Sequence, residues 1–360
     1  MSNERQNGTS YNAEQSQPTF LDMQLPRRKL LRWGLGAGIA AAAGNANISQ
    51  IPDIVSGLIA GYEYGPGFVS AIASDPGAAW ETWKLIQEPD ETYRKSLFFG
   101  NSLEYPKSAH NVIIAFGDSN MVGAEGKDRA NSPISLFKRK VRDKWGVTDW
   151  EDYNIAHSGD TTKLVIQNQL SSQQAREAFA KGDFCDVWVN VGGNDFSSVA
   201  NTPDEFSEVR ELGQDPWKHP DYLLKYTPRL LENLDEFRHD FHTLLSTLYE
   251  LQGPKIKHIV IMSAPDFGKA PSITSQDIGD KKYHIPLDDD FASKIVHNLS
   301  IRMNNEMFAA ASEFHGQTGM KIVGIDTFKD SIFDRDQHLT VEAVAAIADD
   351  AFSRVEFRAA

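Results

Sequence analysis

The sequence predicts an α/β protein on a doubly wound parallel sheet. Short apolar runs of strand type recur along residues 109–358, segments of helical period stand between them, and several runs stop in Gly-, Ser- and Asp-rich turns. Strand and helix in alternation imply parallel pairing through helical crossovers, and polar turns after the strands fall where such a sheet exposes side chains, at its carboxyl edge.

The first strand is Val112-Ile113-Ile114-Ala115-Phe116, rich in β-branched residues, and it ends in Gly117-Asp118-Ser119-Asn120. Residues 133–145 read as a helix. Tyr153-Asn154-Ile155-Ala156 reads as the second strand, leading into Ser158-Gly159-Asp160-Thr161-Thr162, and residues 162–180 read as helix. The third strand, residues 185–191, ends at Gly192-Gly193-Asn194-Asp195. The polar stretch 197–221, with Pro203, Pro216 and Pro220, is too long for a routine connection and is expected to form part of a substrate mouth.

Thr227-Pro228 is expected to start a long helix, since proline at the first helical position gives up no hydrogen bond. Leu230, Leu231, Leu234, Phe237, Phe241, Leu244, Leu245, Leu248 and Leu251 fall on one face of it, and Gly253 ends it. His239 and His242 lie in the same helix, but no acidic or His cluster beside them completes a metal site, so they read as solvated. The fourth strand is residues 256–262. A helix from about 288 to 315 opens on Asp288-Asp289-Asp290, which suits the positive end of the helix dipole better than a calcium loop. Residues 320–326 make the fifth strand, and Thr340 opens a last helix ending near Phe357.

Hydrophobic residues make up 41% of the 360, enough to bury a sizeable core. A net charge of −14 opposes the phosphates of nucleic acid, which demand a basic surface, so no nucleic-acid partner is expected. The lone cysteine, Cys185, rules out an intramolecular disulfide and reads as a small core residue.

Three segments are expected. Residues 1–46 hold a polar, disordered stretch and then Pro26-Arg27-Arg28-Lys29-Leu30-Leu31-Arg32, followed by a Gly/Ala-rich run over 33–43. This resembles a twin-arginine export signal, with Pro26 where Ser or Thr usually stands. The resemblance implies cleavage after Ala43 or Ala46, the twin-arginine export machinery as a partner and a periplasmic or extracellular protein. A basic, Ala-rich helix of a cytoplasmic protein is the plain alternative. The apolar run is well short of the ~20 residues of a membrane span, and no later segment is long and apolar enough to be one. Residues 47–108 are expected to be a mostly helical extension, broken at Gly65-Pro66-Gly67, with Phe68, Trp80, Trp83, Leu85, Ile86 and Phe98 packed against a larger body. Residues 109–358 are expected to form the α/β domain.

Four segments of that domain carry chemistry: Gly117-Asp118-Ser119-Asn120, Ser158-Gly159-Asp160-Thr161, Gly192-Gly193-Asn194-Asp195, and His338 in Asp334-Arg335-Asp336-Gln337-His338. Each alone is explained equally well as an ordinary turn. Together and in this order they resemble the four blocks of the SGNH, or GDSL, hydrolases. That resemblance implies a three-layer α/β/α fold with a flavodoxin-like five-stranded parallel sheet, Ser119 as nucleophile and His338 as base. It also implies an oxyanion hole made by the backbone N–H groups of Ser119 and Gly159 and the side-chain amide of Asn194. His157 is the runner-up base, in the wrong block.

The family commonly has an acid three residues before the histidine, where this chain has Arg335. Asp334 and Asp336 flank it; Asp336 is slightly preferred as the residue that orients His338, and a Ser-His dyad is the alternative. The loop Pro265-Asp266-Phe267-Gly268-Lys269-Ala270-Pro271 is similar to a Pro-Asp-x-Gly-x-x-Pro loop of larger secreted GDSL esterases. The substrate so implied is a carboxylic ester, a lipid acyl ester or an acetylated glycan. An O-acyltransferase using the same serine, a non-catalytic binding module that keeps the fold, and an anchored cell-surface structural protein remain open. No Gly-x-Gly-x-x-Gly, phosphate loop or His-Glu-x-x-His is present, so no cofactor and no metal are expected.

Overall fold

The computed structural model describes residues 102–106, 110–195, 220–270, 275–278, 281–284, 291–329, 331–333 and 338–358. Outside them lie the whole of 1–46, most of 47–108, the stretch 197–219, Asp288-Asp289-Asp290, Pro271, and Asp334, Arg335 and Asp336. In chain order the elements are β1 (Leu103–Pro106), β2 (Asn111–Gly117), α1 (Ser119–Val122), α2 (Pro133–Trp145), β3 (Glu151–Asn154), α3 (Thr162–Leu164), a π-helical turn (Val165–Leu170), α4 (Gln173–Lys181) and β4 (Phe184–Asn190). They continue with α5 (Pro220–Gln252), β5 (Ile256–Met262), β6 (Ser275–Ile278), β7 (Lys281–His284), α6 (Phe291–Thr318), β8 (Ile322–Ile325), α7 (Val341–Ser353) and β9 (Val355–Arg358).

Five strands form one parallel sheet in the order β3-β2-β4-β5-β8. This is the flavodoxin-like doubly wound order, in which the chain starts in the interior of the sheet and reverses direction beside its first strand. The central strands are buried on both faces, as their continuous apolar runs require. On one face Phe116, Val187 and Ile259 pack against Phe179 of α4, Phe241 and Leu245 of α5 and Met307 of α6. On the other, Ile113, Trp188 and Val260 pack against Phe137 of α2 and Val344 and Ile347 of α7. These are the three layers expected.

Several boundaries differ from the sequence reading. Pairing of the second strand stops at Ala115↔Asn154, so β3 lies two residues earlier, although the Ile155 N–H still reaches Ala115 O at 2.9 Å. The helix expected over 162–180 is broken into α3, the π turn and α4, because Ser172 caps a fresh helix through a bond from the Ala175 N–H (3.0 Å). The long helix begins at Pro220, upstream of Thr227. Its stripe from Leu234 to Leu248 is buried, but Leu251 lies past the last packed turn and is 52% exposed. The following helix runs over Phe291–Thr318, and the fifth strand is limited to Ile322–Ile325, opposite Ile259–Met262 of β5.

The last helix stops at Ser353 rather than near Phe357. Arg354 closes it, its N–H on the Ala351 and Phe352 carbonyls, and Val355-Glu356-Phe357 then alternates in and out with the period of a strand. β9 pairs in parallel with β1, the described end of the extension expected to be mostly helical, with Leu103 opposite Val355 and Tyr105 opposite Phe357. Tyr105 thereby covers one flank of the core, its ring edge-on to Trp150 (4.6 Å) and His258 (5.4 Å). Beneath it a buried polar group is completed by His258 Nδ1 and Asn111 Nδ2, each 2.8 Å from a different oxygen of Asp186. Burial, with the Asp186 charge added, pushes the Tyr105 phenol well above its usual range.

Tyr105→Ala would remove a fully packed ring from the seam between β1, β9 and the main sheet. It is expected to cost about 3–5 kcal/mol, as large-to-small core changes of aromatic residues do, and a denaturant unfolding curve with unchanged slope would measure it.

Candidate functional site

β2, β3, β4 and β8 all run the same way, so the turns that follow them gather at one edge. The tightest is at Gly117. Its φ is +146°, and a Cβ placed there would stand 2.0 Å from Asn190 O of β4, so only glycine fits. The Asp118 N–H donates to that same Asn190 O at 3.1 Å. Asp118 is extended and buried, and its Oδ1 accepts from the Asn120 N–H (2.9 Å), capping the single turn α1. Ser119 is the first residue of that turn, half-buried, with Asn120, Met121 and Val122 buried behind it. Its N–H therefore stands where no carbonyl of its own helix can accept it.

The second and third turns are joined to each other. Gly159 has φ +89° and open space where a side chain would be. Next to it, Asp160 accepts a bond from Asn194 Nδ2 on its backbone oxygen (3.1 Å) and one from Gln169 Nε2 on its carboxylate (2.8 Å). Gln169 is buried in the π turn; its Oε1 accepts from the Gly117 N–H (2.9 Å) and its Nε2 also donates to Gly117 O (2.8 Å). Asp195 accepts the N–H and the hydroxyl of Thr162 at 3.0–3.1 Å, fixing the start of α3 to the third turn.

His338 is held from the segment that follows Ser119. A methyl group added at Gly126 would come within 2.7 Å of the imidazole Cδ2 and Nε2, so the ring lies on the Gly126 backbone. The Glu125 N–H donates to Leu339 O (3.0 Å), and the Gly123 N–H donates back to Ser119 O (3.4 Å). Arg129, further along the same segment, donates to the carbonyls of Asn154 and Ala156, the latter at 3.0 Å. Asn154 Nδ2 in turn donates to Met121 O at 2.8 Å. Ser119, the loop carrying Gly159, and His338 are thus tied to one stretch, residues 119–132. Asp334 and Asp336 lie outside the described residues.

Two carboxyls here are displaced from their ordinary range. Burial lifts Asp118 to about 7, opposed by the Asn120 N–H and helped by the charges of Asp195 and Asp160. Burial likewise lifts Asp195 to about 6, opposed by the two Thr162 donors. His157 sits 3.9 Å from Asp160 with its side chain 62% exposed, turned toward solvent. His239 is exposed, and His242 is half-buried with Nδ1 3.5 Å from Ser246 Oγ. No group of His, Cys, Asp and Glu suited to a metal ion exists among the described residues.

The loop after β5 closes one side of the edge. Asp266 is buried and bonded to His297 Nδ1 (2.9 Å), with Lys269 Nζ at 3.3 Å. Phe267 fills the position a side chain at Gly193 would take, 2.8 Å from its Cζ, and its ring lies tilted against Phe333 at 6.0 Å.

No family model and no curated protein matches the sequence. Among solved structures, the chain is similar to a lipase/acylhydrolase from Enterococcus faecalis, with 18% identity over 69% of this chain and 100% of that one, TM-score 0.37. It is similar too to a catalytic mutant of an acetylxylan esterase from Geobacillus stearothermophilus, at 13% identity, 70% and 95% coverage and TM-score 0.40. A third is a psychrotrophic esterase from Pseudoalteromonas sp., at 12% identity, 68% and 96% coverage and TM-score 0.37. With scores this low, the fold rests on the chain's own sheet order and the site on its own residues.

Sequence reasoning missed Gln169, Gly126 and Arg129. For Gln169 a signal existed, since it stands four residues after the buried Val165 and just before the buried Leu170, where an apolar residue would serve packing. Gly126 and Arg129 act only through residues distant in the chain, which no local pattern reports.

Asp118 carries a pH dependence of stability. Its folded pKa lies above the unfolded value of about 3.9, so the fold binds this proton more tightly, and its contribution is full below about pH 4 and lost as pH rises through about 7. Asp118→Asn, neutral throughout, is expected to gain on the wild type over that window and then level off. Some three pKa units at about 1.4 kcal/mol each bound the gain at roughly 4 kcal/mol. Unfolding midpoints at pH 4 to 8 test it; parallel profiles would refute it.

Proposed function

We propose that this chain is a serine hydrolase of the SGNH/GDSL type, acting on carboxylic esters. Ser119 Oγ attacks the ester carbonyl while His338 takes its proton, and the negative charge formed on the carbonyl oxygen meets the N–H groups of Ser119 and Gly159 and the amide of Asn194. His338 returns the proton to the departing alcohol as the ester C–O bond breaks and the acyl group is left on Ser119. Water, deprotonated by His338, then releases the acid and restores the serine. Asp336, or Asp334, orients the imidazole.

The observation that carries this reading is the single stretch 119–132, which begins with Ser119, receives the His338 ring on Gly126 and braces the Gly159 loop through Arg129. A hydroxyl at the start of this stretch, an imidazole packed on the same stretch and donors beside it are the parts that acyl transfer to serine needs. The substrate class we infer is a lipid acyl ester or an acetylated glycan. The twin-arginine-like segment supports export before that encounter, and no helix among the described residues is long and apolar enough to cross a membrane.

Hydrolysis of p-nitrophenyl esters of increasing chain length tests the reading. Ser119→Ala and His338→Ala are each expected to lower kcat/KM on the order of 10⁴-fold or more. Asp336→Asn and Asp334→Asn would separate the orienting residue from its neighbour. A well-folded wild-type chain that hydrolyses none of them, and whose Ser119 takes no fluorophosphonate, would refute it.

A further inference from the structure

We infer that Gln169 is the positioning residue of the oxyanion hole, a role that rests on the hydrolase reading above. Its side-chain amide pairs with both backbone groups of Gly117, accepting from the N–H at 2.9 Å and donating to the carbonyl at 2.8 Å, as a neighbouring strand would. Gly117 is two residues before Ser119, so the amide holds the end of the strand that presents the nucleophile. Nε2 also donates to the Asp160 carboxylate at 2.8 Å. Asp160 is the residue after Gly159, its N–H donates to His157 O (3.3 Å), and its carbonyl holds Asn194 Nδ2 at 3.1 Å. One buried amide thereby fixes Ser119, Gly159 and Asn194, the three donors, relative to one another.

The local helix is built for this. Val165–Leu170 is π-helical, a turn wider by one residue than the α form, of the kind that recurs at functional sites. The extra residue lets Gln169 face the sheet between the buried Val165 and Leu170 without breaking the chain's course to α4. Plain core filling would be served by an apolar residue here. A buried amide meeting two backbone groups and a carboxylate is one whose loss strands each of them.

The test compares kcat and KM for p-nitrophenyl acetate in the full chain and in Gln169→Met, Asp160→Ala, Asn194→Ala and the two double variants that contain Asn194→Ala. Gln169→Met and Asp160→Ala are each expected to lower kcat about 10- to 100-fold with KM within about twofold, since the donors are displaced rather than removed. Each double is expected to fall below Asn194→Ala by clearly less than the factor of the Gln169 or Asp160 change alone, since the part of that loss carried through Asn194 is already gone. Asp160 is only partly buried, and Asp160→Ala leaves the Gly117 bonds intact, so it carries the test if Gln169→Met fails to fold. Independent, multiplying losses in the doubles, or an effect confined to KM, would overturn the proposal while leaving the hydrolase reading in place. A wild type that neither hydrolyses the ester nor takes a fluorophosphonate would overturn both.

Discussion

No side chain fits at residue 117, and much of the candidate site follows from that. With the Cβ position only 2.0 Å from Asn190 O, β2 and β4 meet at their carboxyl ends at a separation that glycine alone allows. The strand can then turn at once into Asp118, whose N–H takes the same Asn190 carbonyl, and into the one-turn helix that Ser119 opens. A bulkier residue would push the turn off the sheet and take Ser119 with it. β2 is a central strand and Ser119 stands two residues past its end, so the proposed nucleophile is fixed by the most buried part of the fold.

The chain meets the cost of burying polar groups differently at the two ends of this sheet. At the amino end, Asp186 is held between His258 and Asn111, a carboxylate answered by two donors under the Tyr105 ring. At the carboxyl edge, Asp118 accepts from the Asn120 N–H and Asp195 from the Thr162 N–H and hydroxyl, and burial outweighs these donors and lifts both. Burial leaves Asp118 about half protonated near pH 7 while Asp195 is mostly ionised there, so only Asp118 spares the proposed oxyanion site part of a negative charge. A carboxylate there would oppose the developing charge, whereas a carboxyl group does not.

Much of the fold was legible because the signals were local. Residues 133–145 carry Pro133 at the first helical position and Gly146 after the last, and the helix has those bounds; the run 256–262 is wholly apolar but for Lys257 and His258 and forms β5. The final strand was misread because Val355-Glu356-Phe357 is too short an alternation to outweigh the helical period before it, and its partner β1 lies some 250 residues away. The Gly-Asp-Ser-Asn turn, Gly159 and Asn194 were legible as turns after strands. What ties them was not, because Gln169 bonds across 52 residues and Gly126 meets His338 across the whole domain. Hydrogen bonds between distant segments leave no period in the chain.

The anchoring of His338 differs from that of Ser119. Leu339 O is bonded to Glu125, the Thr340 N–H to Ile332 O, and Phe333 bridges Leu339, so the segment is stitched to itself and to residues 123–126. None of these bonds is to a strand of the main sheet. The histidine therefore follows the turn that Ser119 begins. Residues 119–126 thus carry Ser119 and the His338 imidazole together, while Gly159 and Asn194 are tied through Asp160 and Gln169 to Gly117, at the end of the strand that Ser119 follows. The spacing between Ser119 and these groups therefore hangs on the Gln169–Gly117 pair, and in the proposed mechanism it decides how well a developing negative charge is met.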